Sequence, residues 1–113
     1  MAVTDVRIED HSEEVLKAFQ EAVEAALTAI GLAAEGHAKE ICPVDTGRLR
    51  NSITNVVDAD DKSVIIGTNV EYGPAVELGT ERRSPKPFLR PAAQNYGAEY
   101  KQLLEQALKN ANP

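Results

Sequence analysis

Apolar residues recur at steps of three and four along the first third of the chain: Leu16, Phe19, Val23, Ala26, Ile30, Ala33 and Ile41, with His37 standing out of pattern. That spacing marks one face of an α-helix and predicts a helix over residues 12–42. At 1.5 Å rise per residue it would be roughly 45 Å long. Asp10 and Glu13 have capping-box spacing, Ser12 is an alternative N-cap, and Glu13 and Glu14 suit the positive end of the helix dipole. Gly31 and Gly36 open the option of a kink between 31 and 36, and Pro43 ends the helix. Residues 1–11 carry no clear period and read as an N-terminal tail.

The period then changes. Leu49–Val57 is rich in β-branched residues and reads as a strand, Asp58–Lys62 as a polar turn, and Ser63–Thr68 as a second strand, giving an antiparallel hairpin. Val70–Gly79 reads as an irregular or short helical crossing segment. Residues 80–87 form a loop, and Phe88–Leu89 reads as a further short strand. Pro91 fits the first position of a second helix, whose face is lined by Ala92, Tyr96, Tyr100, Leu103, Leu104, Ala107 and Leu108. Residues 111–113 read as a frayed end. The expected fold is α+β: a long N-terminal helix and a C-terminal helix packed on a small antiparallel β-sheet, in a single domain over 12–110.

Composition narrows the function. The chain has 113 residues, with 42% hydrophobic and 27% charged, which is a globular profile. Two Phe, three Tyr and no Trp make a poor base-stacking platform for single-stranded nucleic acid. A lone cysteine, Cys42, excludes an internal disulfide framework and Cys-cluster metal sites; its place favours a small buried filler. The histidines, His11 and His37, spell out no metal site, and no metal or other cofactor is expected. The N-terminus shows no basic-then-apolar leader, and Glu24, Thr28 and Glu35 break the longest apolar stretch, so no membrane span is expected.

Charge is uneven. Residues 1–45 hold ten acids and three bases, whereas 81–91 hold four bases (Arg82, Arg83, Lys86, Arg90) and one acid. The basic loop is a candidate interface: it suits an acidic face of a neighbouring copy or nucleic acid phosphate. The net charge of −6 argues against DNA affinity as the main task.

An enzyme reading is available and weak. Asp45–Thr46–Gly47 is the tripeptide of aspartic proteases, and Ile65–Ile66–Gly67 echoes their apolar–apolar–Gly element. Such catalysis needs two carboxylates sharing a proton on an all-β frame. Here the Asp follows Pro43 at a helix exit, and a structural corner serves the segment better, with Gly47 free to take positive φ. The chain reads as no enzyme.

Three stretches in order carry a resemblance: Pro43-Val44-Asp45-Thr46-Gly47-Arg48-Leu49-Arg50-Asn51-Ser52-Ile53, then Ile66–Thr80 with Tyr72, Glu77, Gly79 and Thr80, then Pro85-Lys86-Pro87-Phe88-Leu89-Arg90-Pro91-Ala92. Over residues 12–110 the chain resembles the small neck proteins of tailed bacteriophages, the head–tail connector, tail-completion or minor tail-component family. The resemblance implies a structural protein without catalysis. It implies a homo-oligomeric ring, typically of six copies, with connector and tail-tube proteins as partners and DNA passing through the lumen. Localisation would be the virion, after assembly in the host bacterial cytoplasm, and a monomer in isolation is compatible with it. The recurrent positions map onto Asp45, Thr46, Gly47, Arg48 and Leu49, onto Tyr72, Glu77, Gly79 and Thr80, and onto Pro87, Phe88, Leu89 and Pro91.

Physical reading of the same residues agrees. The Ala-rich helix has more apolar face than a small sheet can cover, and contacts between copies would bury the surplus. Tyr72 is expected to be a half-buried packing residue. Glu77 either caps a turn or pairs with Arg48, the latter being the expectation. Phe88 and Leu89 are expected in the core, and Tyr96 and Tyr100 over the sheet.

Overall fold

The computed structural model describes residues 12–44 and 47–111. The proposed tail over 1–11, the corner residues Asp45 and Thr46, and the last two residues lie outside them. Among the described residues seven elements follow in chain order: α1 (Ser12–Ile41), α2 (Arg48–Ser52), β1 (Thr54–Asp58), β2 (Ser63–Gly67), α3 (Gly73–Leu78), α4 (Leu89–Gln94) and α5 (Gly97–Lys109). The fold is α+β, as its sequence pattern predicts.

The first helix is unbroken over 30 residues, so the chain does not leave the helix at Gly31 or Gly36. Gly31 has a packing reason. A Cβ there would sit 2.5 Å from the Asn55 side-chain oxygen and 3.4 Å from Val64, because the hairpin lies directly on the helix. Asn55 also donates to Glu35 of α1 at 3.3 Å. The hairpin pairs Thr54 with Gly67 and Asp58 with Ser63 in antiparallel register. The turn between them is closed by the Asp61 backbone N–H bonding Asp58 Oδ1 at 3.1 Å. Lys62 there takes φ 54°.

Two expectations for the middle of the chain need correcting. Residues 48–52 form a helical turn, and the strand begins only at Thr54. Gly47, at φ 84°, redirects the chain, its carbonyl accepts the Asn51 N–H at 2.9 Å, and Ser52 Oγ donates to the Leu49 carbonyl. Leu49 and Ile53, four residues apart, are thereby buried together. Phe88–Leu89 is not a strand either: the sheet has two strands, and Leu89 opens α4. Pro91 is consequently the third residue of that helix, where its missing N–H is still harmless. The C-terminal helix comes in two pieces, α4 and α5, broken at Asn95–Tyr96.

The main core gathers at the C-terminal end of α1. Ala38 and Cys42 meet Leu49, Ile53, Val70, Phe88 and Ala92, with Ile41, Ile66, Val76 and Leu89 at its edge. Phe88 and Ile53 are the largest fully buried side chains. Truncating a buried Phe to Ala typically costs about 3–5 kcal/mol. Farther up the helix, Ala22, Val23, Ala26, Leu27 and Ala34 are covered by the hairpin and α5. Tyr96 and Tyr100 are directed at α1. Tyr96 stacks on His37 with ring centroids 3.6 Å apart, and His37 Nε2 lies 2.7 Å from Glu99 Oε2. The Tyr100 hydroxyl donates to the Ala92 carbonyl, joining α5 to α4, and burial pushes its pKa up.

The N-terminal end of α1 has no such cover. Ser12 to Lys17 are all exposed, Val15 and Leu16 by 53% and 55%, and Phe19 is exposed as well. Outward-facing Val56 and Ile65, cross-strand partners, are 60% and 62% exposed.

Candidate functional site

Of the motif residues, Gly47, Arg48, Leu49 and Tyr72 line one groove. It lies between the exit of α1 (Pro43, Val44), the corner and α2 (Gly47, Arg48, Leu49), α3 with its preceding Tyr72 (Ala75, Val76), and the loop after α3 (Arg83, Ser84, Lys86). Its volume is about 1020 Å³. Its lining combines apolar side chains (Pro43, Val44, Leu49, Val76) with the cations Arg48, Arg83 and Lys86.

Arg48 anchors one wall. Its guanidinium makes a bidentate pair with Glu71, at 3.0 Å for each bond, and sits 5.5 Å from the centre of the Tyr72 ring. That pairing holds the Glu71 carboxyl below its ordinary pKa and raises that of Arg48. The partner of Arg48 is thus Glu71, and the expected pairing with Glu77 does not occur. Tyr72 is more open than a half-buried packing residue, at 37% exposure.

Glu77 does the other job that its position allows. Its carboxylate accepts the backbone N–H groups of Phe88 and Leu89 on Oε1, at 3.0 and 2.8 Å, and of Arg90 on Oε2, at 3.2 Å. These are N–H groups at the start of α4, which have no partner within their own helix. One anion therefore satisfies the helix start and fixes the whole 80–87 loop between α3 and α4. The Lys86 N–H adds a bond to the Val76 carbonyl at 2.8 Å.

The loop itself is set by Gly79 and Thr80. Gly79 takes φ 78°, and a Cβ there would lie 2.8 Å from the Pro85 backbone nitrogen, so only glycine fits. The Thr80 hydroxyl accepts the N–H groups of Arg82 and Arg83, at 3.3 and 3.1 Å. Pro87 is exposed and Phe88 is sealed in the core directly after it. Of the four cations of the basic segment, Arg83 and Lys86 line the groove, while Arg82 and Arg90 do not.

Several contributors were not legible in the chain. Glu71 stands 23 residues from Arg48 with no periodic relation to it. Pro43, Val44 and Val76 form the groove only once α1, α2 and α3 meet. Cys42 is buried, its thiol 3.4 Å from the Pro43 carbonyl, and burial pushes its pKa up. The Ile65–Ile66–Gly67 element of the protease reading is an edge of the hairpin, with Ile65 turned to solvent. Among the described residues no group of three or more His, Cys, Asp or Glu could hold a metal ion, and no helix is long and apolar enough to cross a membrane.

Neither the curated proteins nor the solved structures contain a match to this chain. A protein family does match, over residues 7–79, and its description is "Bacteriophage HK97-gp10, putative tail-component". The matched span runs from the start of α1 through the corner, the hairpin and α3 to Gly79, and the basic loop, α4 and α5 lie beyond it. With well over half of its length inside that match, the chain belongs to the HK97-gp10-like family of bacteriophage tail components.

Proposed function

We propose that the chain is a non-catalytic structural protein of the virion that closes into a homo-oligomeric ring, six copies around, at the head–tail junction or tail end. Its neighbours in this reading are connector and tail-tube proteins, and DNA passes through the lumen without specific binding. Assembly takes place in the host bacterial cytoplasm. The observation that carries the reading is the bare apolar surface at opposite ends of a rigid helix. Val15 and Leu16 stand exposed at the start of α1 with Phe19 beside them, its ring partly covered by Lys62, and Val44 and the groove stand open at its end. Small domains with surplus apolar surface complete their burial on other subunits.

Gly47, Leu49, Glu77, Gly79 and Phe88 act in this reading as the frame that holds the groove in shape, and Arg83 and Lys86 as its contacts. The test is electron microscopy of particles made without the protein. Heads and tails that fail to join, or tails of uncontrolled end structure, are expected; normal infectious particles would refute the proposal.

A second reading uses Arg82, Arg83, Lys86 and Arg90 as phosphate contacts in a nucleic-acid module. Their exposure favours it. Phosphate contacts predict duplex affinity that falls steeply with salt and is lost on changing Arg82 and Arg83 to Ala.

A further inference from the structure

We propose that the groove beside α3 receives the N-terminal end of α1 from a second copy of this chain. The proposal deepens the ring reading by naming the two surfaces that meet.

Val15, Leu16 and Phe19 lie at helical spacings of three and four and so share one face of α1. All three are exposed. Glu13 and Glu14 lie in the first turn of the same helix, and Glu21 follows the patch. Lys17 lies within the patch and the Lys62 ammonium sits 6.0 Å from the Phe19 ring centre, so the acids concentrate on the first turn, ahead of the apolar knob. The groove is its complement, lined by apolar Pro43, Val44, Leu49 and Val76 and by the cations Arg83 and Lys86. An amphipathic helix laid in an apolar groove is a recurring mode of recognition.

The occupant cannot be the chain's own helix. Pro43 and Val44 follow the last residue of α1, and the unbroken helical residues 20–41 separate that end from the knob. At 1.5 Å per residue the two surfaces of one copy are roughly 35–40 Å apart. Knob and groove are also different patches, so the contact is heterologous. Each copy can both give and receive, and a fixed rotation closes the series into a ring. The knob's acids beside the groove's cations set orientation and encounter rate more than affinity.

The test is a cysteine pair across the contact. Leu16→Cys lies on the knob and Ala75→Cys on the exposed groove wall of α3; the native Cys42 is buried. Oxidation of the double variant, at up to about 1 mM protein, is expected to give a ladder of dimer, trimer and larger species on a non-reducing gel. A mixture of the two single variants is expected to stop at dimer. Phe19→Cys with Val44→Cys samples the same contact with other geometry and covers a misaligned first pair. Reversing Arg83 and Lys86 to Glu is expected to slow cross-linking about tenfold, and Glu13→Lys with Glu14→Lys to restore it.

Absence of both cross-links, or links only between like positions, would overturn the proposal. The ring reading fails separately. Closed rings without either link sink the docking and leave the ring, whereas linked but open filaments keep the docking and sink the ring.

Discussion

Removing the Glu77 carboxylate should loosen the groove more than any other surface-accessible change. The acid accepts three backbone N–H groups, at 3.0, 2.8 and 3.2 Å, and one belongs to Phe88, which is fully buried. A hydrogen bond to a charged group contributes about 1.5–3 kcal/mol net, and loss of a helix cap costs about 0.5–2 kcal/mol. Water can replace the acid at exposed Arg90 but not at Phe88. Glu77→Ala is therefore expected to cost about 2–4 kcal/mol, a large part of the ~5–15 kcal/mol that holds a domain folded. Glu77→Gln keeps a neutral acceptor and should cost about half as much.

Urea unfolding reads this directly. With a slope of about 1–3 kcal/mol/M, the midpoint for Glu77→Ala should fall by roughly 1–3 M at unchanged slope. Arg48→Ala breaks exposed contacts, the Glu71 ion pair and the stack on Tyr72, and should shift the midpoint much less. The double variant should be additive, since the two residues do not touch. A Glu77→Ala shift below about 0.3 M, or strong coupling between Glu77 and Arg48, would refute the capping role.

Other changes separate backbone from packing effects. Gly79→Ala should destabilise by at least about 1 kcal/mol, because φ 78° and the Pro85 backbone both exclude a Cβ; thermal unfolding checks it. Gly36→Ala meets nothing within 4 Å and should stabilise the helix by about 0.5–1 kcal/mol, visible as a rise in Tm of a few degrees. His37→Ala removes the stack on Tyr96 and the bond to Glu99, so hydrogen exchange should speed up across α5, which buries no residue fully. Glu71 titrates below its ordinary value because of Arg48. The pair's contribution should therefore be present at neutral pH and fade as pH falls through that lowered value, and NMR titration of Arg48→Ala should show Glu71 rising toward its ordinary value.

What could be read from the chain depended on how local the cause was. The extent of α1 was legible because its apolar period and Pro43 act within a few residues. The continuity at Gly31 was not, since the reason for that glycine is the Asn55 side chain, 24 residues on in the hairpin. Leu49 and Ile53 carried a helical spacing, but a single turn among β-branched residues does not outweigh a strand pattern. Phe88–Leu89 was misread because the group that starts α4 there is Glu77, supplied from eleven residues upstream. His37 broke the apolar stripe and was visible as an anomaly, yet its explanation, the Tyr96 ring, lay beyond the reach of periodicity.

The manner in which the 80–87 loop is held bears on how the protein meets its neighbours. Every hydrogen bond that fixes the loop uses main chain or a neutral or acidic side chain: Thr80 to the N–H groups of Arg82 and Arg83, Val76 to Lys86, and Glu77 to residues 88–90. Among the described residues, none of these bonds draws on the cationic heads of Arg82, Arg83, Lys86 or Arg90. A loop that spent its charges on its own anchoring would lose shape and contact together under mutation. Here the two are separable: the Gly79–Thr80 turn and Glu77 set where Arg83 and Lys86 stand, and the cations remain available for another surface. Charge reversal at 83 and 86 should then change assembly while leaving the unfolding midpoint nearly fixed, whereas Glu77→Ala should move both.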